Sequence, residues 1–413
     1  MKKLFGSLMA QKIVLLSLVS FVLAAGIYGC GHEFNQTAQY QADINNMITA
    51  KWQSYMAARF GFGGGVALYI ISPKGSFYAS ANMPDGTEDT HFRGASTTKS
   101  FTASSIMLLH QQGKLNIEDK ITDHIPGSSE PYVPNITDYN IPNKSSITIR
   151  LLLEHRAGVY DVDNNIIPTT ESVPYAGQNY ILYVLRSDPT HTFNLDELIT
   201  VLGATQLYDF APGVQFKYSD TGYTILGKII ERVSGKSFRQ FVHDNLAVPN
   251  GLTETTFPDF GTEQTIPAPY ETGYTYQGGH LYEVTNDNAS PHVAEGNVIT
   301  TPRDLATWIK RLISSQAGLN SDTVRMMTTV LPTGAALDNY GLGITYVPGL
   351  GYGHGGSQSG YLTVMNYDPT QEVAVVIQAS GYNSDDTMSE INCLYDIGRE
   401  AKNILGYSTA QEK

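Results

Sequence analysis

The sequence predicts an α/β fold of the α+β type, an antiparallel sheet flanked by helices with a mostly helical segment inserted. Three observations predict it. β-like runs lie near both ends of the chain, at Val66–Ser72 and Ser76–Ala81 and again at Leu362–Asp368 and Glu372–Ala379. Each pair is joined by a short turn, Pro73-Lys74-Gly75 or Asp368-Pro369-Thr370-Gln371, which is a hairpin signal. The long stretch between them is helical and loop-rich. Strands shared by the two ends imply one sheet domain over 30–125 and 290–413, with 126–289 inserted, rather than the two or three separate domains that 413 residues would allow. Hydrophobic residues at 41% are enough for a core, and charged residues at 16% are too few for disorder. A net charge of −13 gives no electrostatic footprint for nucleic acid, so none is expected as a partner.

Residues 1–29 read as an export signal. Lys2, Lys3 and Lys12 form a basic start, and an apolar run from Ile13 to Ile27 is short for a membrane span. It ends in Ile27-Tyr28-Gly29-Cys30, which resembles a bacterial lipobox. That resemblance implies a lipidated Cys30 holding the chain to a membrane of the bacterial cell envelope. A plain signal peptide or an uncleaved anchor is the alternative. Residues 1–29 hold three Lys and no Asp or Glu, so their removal leaves a charge of −16. Two cysteines exclude a disulfide scaffold, and Cys393 reads as a packed small apolar residue.

The elements follow in order. Asn35–Phe60 reads as a helix, with Ile44, Met47, Ile48, Trp52, Tyr55 and Met56 near helical spacing, broken by Gly61–Gly65. Ser96–Gln112 reads as a helix ended by Gly113. Pro126–Lys144, rich in Pro, Asn, Ser and Tyr, reads as surface loop. Ile149–His155, Leu195–Leu202 and Gly222–Val233 look helical, Tyr340–Tyr346 a strand, and Met388–Ile404 a closing amphipathic helix.

Three short segments carry chemistry. In Ser96-Thr97-Thr98-Lys99, a serine opening a helix has a lysine one turn later on the same face. The helix N-terminus offers free N–H groups to a developing oxyanion. A serine hydroxyl needs a neighbouring base to become a nucleophile. In Tyr218-Ser219-Asp220, a tyrosine close to a lysine can relay a proton. In His354-Gly355-Gly356-Ser357, glycines let a strand edge come close to a substrate. Each has a plain structural reading when taken alone: an N-cap serine with a solvated lysine, a core tyrosine with Asp220 as an N-cap, a glycine-rich hairpin.

In this order the three resemble the serine β-lactamase and penicillin-binding-protein superfamily. The branch they are most similar to holds class C β-lactamases, D-alanyl-D-alanine carboxypeptidases and related esterases. Leu151-Leu152-Leu153-Glu154-His155-Arg156-Ala157-Gly158, Pro212-Gly213, Ile229-Ile230-Glu231, Ser234-Gly235-Lys236, Gly296 and Thr301-Pro302-Arg303-Asp304 fit the same branch. The resemblance runs from about Gly64 to Ala379 and implies a β-lactamase/transpeptidase-like fold. It implies an acylated Ser96, with Lys99 and Tyr218 as the base and proton-relay pair. It also implies an oxyanion hole from the Ser96 and Ser357 N–H groups beside Gly356, and a substrate carboxylate facing His354. The base is open between Lys99 and Tyr218.

Two positions depart from the pattern. Asp220 replaces the usual Asn, and an ionised carboxylate only accepts hydrogen bonds. Near Lys99 it would favour the ammonium, and facing the substrate it would suit a cationic or amine-bearing acyl group. His354 replaces a permanent charge, so its carboxylate recognition depends on a neighbour such as Asp220 keeping the ring protonated. The expected activity is an exported serine hydrolase acting through an acyl-enzyme. Its substrates would be D-Ala-D-Ala-type peptides, β-lactams, small esters or D-amino-acid amides, with cell-wall peptide among them. The alternative is a penicillin-recognising binder or sensor with little turnover. No Gly-x-Ser-x-Gly elbow, His-Glu-x-x-His or Cys/His cluster is present, so neither a metal nor a cofactor is expected. Tyr160, Tyr175, Tyr180 and Tyr183 of Val159–His191 either line the pocket or pack within that segment.

Overall fold

The computed structural model describes residues 36–59, 61–334 and 339–410. The expected export signal and Cys30 lie outside these residues. Among them, six strands form one sheet in the order Gly75–Ala81, Val66–Ser72, Val373–Ala379, Tyr361–Asp368, Gly351–Gln358, Thr345–Val347. Every pairing in it is antiparallel, and the two hairpins meet where Val66 lies opposite Ala379 and Ile71 opposite Ala374. The fold is thus α/β, with strands from both chain ends in one sheet.

One face of the sheet buries Val66, Leu68, Val375 and Ile377 against Ile44, Ile48 and Trp52 of a helix over 36–57 and Leu394 and Ile397 of the Thr387–Ile404 helix. The other face belongs to a larger core shared with the middle of the chain. At its centre lies the Thr98–Gln111 helix, buried all round from Thr98 to Leu109. A helix buried on every side must satisfy its polar groups internally. Here Ser100 donates to the Thr97 carbonyl, Ser105 to that of Phe101, and Thr102 to that of Ala294. Phe101 stacks on Trp308, their ring centres 4.2 Å apart, and the Trp308 Nε1–H donates to Ser100 Oγ at 2.9 Å. Each such side chain stabilises the core by about 1.5–3 kcal/mol through area removed from water.

Several boundaries differ from the sequence expectation. Ser96 lies in a turn two residues before the helix, with Thr97 at the cap position. Residues 126–144 are not all surface, because Tyr132, Val133, Tyr139 and Ile141 are buried. The expected strand Tyr340–Tyr346 is split. Asn339–Tyr340 pairs with Leu331–Pro332, and the sheet strand begins only at Thr345, after Gly343 turns the chain with φ +69°.

Candidate active site

The strand Phe92–Ala95 delivers Ser96. Its pairing with Val298–Thr300 carries a bulge between Arg93 and Ala95, and Ala95 has a φ of +49°, unusual for a residue with a side chain. This strained turn leaves Ser96 as the one residue between Thr90 and Leu109 that is not buried. Strand Gly351–Gln358 runs alongside. A Cβ at Gly356 would lie 2.3 Å from the Gly94 carbonyl oxygen and 3.2 Å from the Ser96 nitrogen. Only glycine permits this approach, which brings Ser357 to the mouth of the same cleft as Ser96.

Lys99 has no exposed surface, yet its ammonium is surrounded by acceptors, Asp220 as an ion pair and Glu295 and Ser96 through hydrogen bonds. Nζ lies 2.6 Å from Asp220 Oδ1, 2.8 Å from the Glu295 carbonyl oxygen and 3.1 Å from Ser96 Oγ. Glu295 Oε2 is a further 3.4 Å contact. Burial alone would lower the Lys99 pKa. The charges of Asp220, Tyr218 and Glu295 outweigh it and hold the ammonium well above the ordinary lysine range. Lys99 is therefore a cation at neutral pH. Burial raises the Tyr218 phenol, only partly offset by Lys99, so Tyr218 keeps its proton as well. The ammonium lies 4.9 Å from the Tyr218 ring centre. Behind that ring, His155 packs at 4.0 Å, with Nδ1 accepting from the Ser219 N–H at 3.2 Å. His155 thus positions Tyr218, and burial keeps its own pKa well below the usual range.

Asp220 opens the helix Asp220–Ser234, whose cap is Ser219 rather than Asp220. Its carboxylate does not face the substrate freely, as the sequence reading expected. Oδ1 is held by Lys99, and Oδ2 accepts from Asn164 Nδ2 at 2.7 Å. The second hydrogen of that amide goes to Asp161 Oδ2 at 2.9 Å. Burial opposes the Asp220 charge, but Lys99 and these hydrogen bonds keep its carboxyl below the ordinary range.

His354 also departs from expectation. It lines the cleft but is 4% exposed, with Nδ1 against the Gly355 carbonyl and Nε2 2.8 Å from the Tyr340 hydroxyl. A ring that donates from Nδ1 and accepts at Nε2 is neutral. Burial, with the Lys99 charge acting in the same direction, lowers its pKa to about 4. Asp220 does not keep it protonated, so His354 supplies no cation to a substrate carboxylate at pH 7.

Ser96 and Ser357 line two lobes of one cleft. The first, about 270 Å³, holds Tyr218, Thr345, His354, Leu362, Val364, Met388, Ile391 and Tyr395. It has no charged group. The second, about 260 Å³, holds Asn164, Asp220, Asp287, His292, Glu295 and Gln358. In it Glu295 Oε1 meets His292 Nδ1 at 2.6 Å. Burial opposes the His292 charge, but Glu295 raises the imidazole pKa to about 9, so this pair balances itself. Asp220 is balanced by Lys99. Among the described residues Asp287 has no cation within ion-pair distance; Arg93 and His292 act on it from further away, and Gln358 Nε2 lies at 3.3 Å. Its loop is fixed by the buried Arg93, whose guanidinium donates to the Gln264, Thr285 and Asp287 carbonyls at 2.7, 3.2 and 3.2 Å.

The sequence reading brought Ser96, Lys99, Tyr218, Asp220, His354, Gly356 and Ser357 into one site, and the structure places them together. It missed Asp161, Asn164, Asp287, His292 and Glu295, for which adjacency of Glu295 to Gly296 was the only signal. The four tyrosines of the middle segment line neither lobe. Tyr175 packs on Tyr180, Tyr160 donates to the Ile166 carbonyl, and Tyr180 donates to Glu197.

The Beta-lactamase family profile matches residues 56–392. Protein flp of Staphylococcus aureus (strain NCTC 8325 / PS 47) is 28% identical over 221 residues, which are 54% of this chain and 38% of that protein. The chain therefore matches well under half the length of this curated relative. Two solved structures share the fold with TM-scores of 0.69 and 23% identity each. One is a D-stereospecific amidohydrolase from Streptomyces sp., covering 87% of this chain and 98% of that one. The other is the D-amino acid amidase of Ochrobactrum anthropi SV3, covering 87% and 99%. The chain belongs to the Beta-lactamase family, within the superfamily of serine acyl-enzyme hydrolases.

Proposed function

We propose that Ser96 is acylated by an amide or ester whose acyl part carries a free ammonium and whose leaving group carries no charge. An amino-acid amide or ester fits both requirements. The observation that carries this reading is the division of charge on either side of Ser96. Tyr218, the proton donor in reach of a leaving group, lines only the uncharged lobe. Asp287, a carboxylate without a direct ion pair among the described residues, lines only the other. A D-Ala-D-Ala peptide or a penicillin brings a carboxylate on the leaving side, and the described residues lining that lobe offer it no cation. The amidase and amidohydrolase among the fold neighbours support an amide carbonyl as the target.

Ser96 Oγ attacks the carbonyl, the oxyanion forms against the Ser96 and Ser357 N–H groups, and Tyr218 protonates the departing amine or alcohol. Water then releases the acid.

The test compares D-phenylalanine amide with its N-acetyl derivative and with D-phenylalanyl-D-alanine. A charged hydrogen bond contributes about 1.5–3 kcal/mol, so masking the amine is expected to lower kcat/KM by about 10- to 100-fold. The dipeptide is expected to fall similarly, and Asp287→Asn to abolish the preference for the free amine. An N-acetyl substrate turned over as well as the free amine would contradict the reading. A non-turning-over binder has one observation in its favour: at neutral pH both Lys99 and Tyr218 hold their protons.

A further inference from the structure

A site in which both expected bases are protonated needs another proton acceptor, and the distances around the Lys99 ammonium identify it. To take the Ser96 proton, Lys99 must release one of its own three. Its contacts are the Glu295 carbonyl, the Glu295 carboxylate, Ser96 itself and Asp220. A backbone amide oxygen is far less basic than a carboxylate. The Glu295 carboxylate is at 3.4 Å and already engaged with His292. Asp220 Oδ1 is at 2.6 Å, the shortest contact of the ammonium.

We propose that Asp220 is the proton acceptor behind Lys99, so that Ser96 is activated by a two-proton relay rather than by a neutral lysine. The Ser96 Oγ–H bond breaks as a bond from Oγ to the carbonyl carbon forms. The hydroxyl proton passes to Lys99 Nζ, and another Nζ–H proton passes to Asp220 Oδ1. The carbonyl π pair becomes the oxyanion. On collapse the bond to the leaving group breaks, and that group takes the Tyr218 proton. Asp220 returns its proton through Lys99 to Tyr218, leaving the ion pair as it began.

Asn164 aims the acceptor. Its two amide hydrogens hold Asp220 Oδ2 and Asp161 Oδ2, which fixes the rotation of the Asp220 carboxylate and leaves Oδ1 for Lys99. Asn164 is anchored in turn, because Asp161 Oδ1 accepts its backbone N–H. Thr221, next to Asp220 on the helix, accepts the Val162 N–H at 2.9 Å and donates to Asp163 at 3.3 Å, locking this loop to the helix start. The charged and titratable groups facing Asp220 are Lys99, Tyr218, Asp161, Asp163, His292, Glu295, Tyr340 and His354. Asp161, raised to about 7 by burial and then by the Asp220 charge, titrates in the working range.

This inference rests on Ser96 being the nucleophile, and the experiment separates the two. The nitrophenolate burst from 4-nitrophenyl acetate, an uncharged ester with a good leaving group, reads acylation alone. It is recorded from pH 5 to 10 for wild type, Ser96→Ala, Asp220→Asn and Asp220→Gly, each checked for folding by thermal melting. Loss of general-base assistance costs about 10²–10⁴ in rate. Asp220→Asn is expected to lose at least about a hundredfold near pH 7. Its rate should then climb toward high pH, because Lys99 must itself lose a proton, and the Asp161 titration should move to lower pH as the Asp220 charge is removed. Formate is expected to restore part of the Asp220→Gly burst and none of the Ser96→Ala burst. Wild-type rate and pH profile in Asp220→Asn would overturn the relay, as would a folded Asp220→Gly that formate fails to rescue. A burst retained by Ser96→Ala would refute the serine reading instead.

Discussion

Replacing Lys99 by methionine is expected to destabilise the fold by about 3–5 kcal/mol, the usual cost of breaking a buried ion pair from one side, and to reduce acylation by about 10²–10⁴. The methionine fills similar volume, so the loss is electrostatic rather than a cavity. Asp220, at 13% side-chain exposure, would keep a carboxylate that no described cation pairs with, while Glu295 would keep only His292. The direction with pH follows from the ion pair. The folded-state pKa of Lys99 lies above its unfolded value, so its stabilisation is fully present below the ordinary lysine pKa. That stabilisation is lost only as pH rises through the folded-state value. The wild-type advantage over the variant from this cation therefore persists across pH 5–9. Urea unfolding at pH 7 measures it, and the second variant Lys99→Met/Asp220→Asn should recover part of the stability by removing one stranded carboxylate. No recovery would mean that Lys99 matters through packing alone.

Gly356→Ala is expected to lower kcat by about 10²–10³ at little cost in KM, the effect of losing one oxyanion donor. The added methyl would stand 2.3 Å from the Gly94 oxygen and 3.1 Å from Ala95 Cβ. The strand must move away from the Ser96 turn, carrying the Ser357 N–H with it. Overpacking of this kind costs about 1–3 kcal/mol, so kcat is measured well below the melting temperature. A kcat within twofold of wild type would show that Ser357 does not serve the oxyanion.

How much of this was legible in the sequence depends on where each cause lies. The hairpins around Lys74 and Pro369 were legible because alternating or continuous apolar runs end in turn residues close by. The Thr98–Gln111 helix was placed two residues early, because Ser96 looks like a cap until the bulge at Arg93–Ala95 turns it outward. Nothing in the spelling of Tyr340–Tyr346 shows that Gly341 and Gly343 split it. Ser96, Lys99 and Tyr218 were legible as an ordered set of motifs. Their charge states were not. Glu295 is 196 residues from Lys99 in sequence, and Asn164 is 56 from Asp220. His354 was misread for the same reason, since its missing charge comes from enclosure by Tyr340 and the Gly355 carbonyl.

The central claim is that Ser96 forms an acyl-enzyme. Intact mass after acid quench of wild type and Ser96→Ala with 4-nitrophenyl acetate tests it most directly. The account predicts one acetyl group on wild type, carried by the peptide containing Ser96, and none on Ser96→Ala. An adduct that persists in Ser96→Ala, or that maps to another residue, would contradict it.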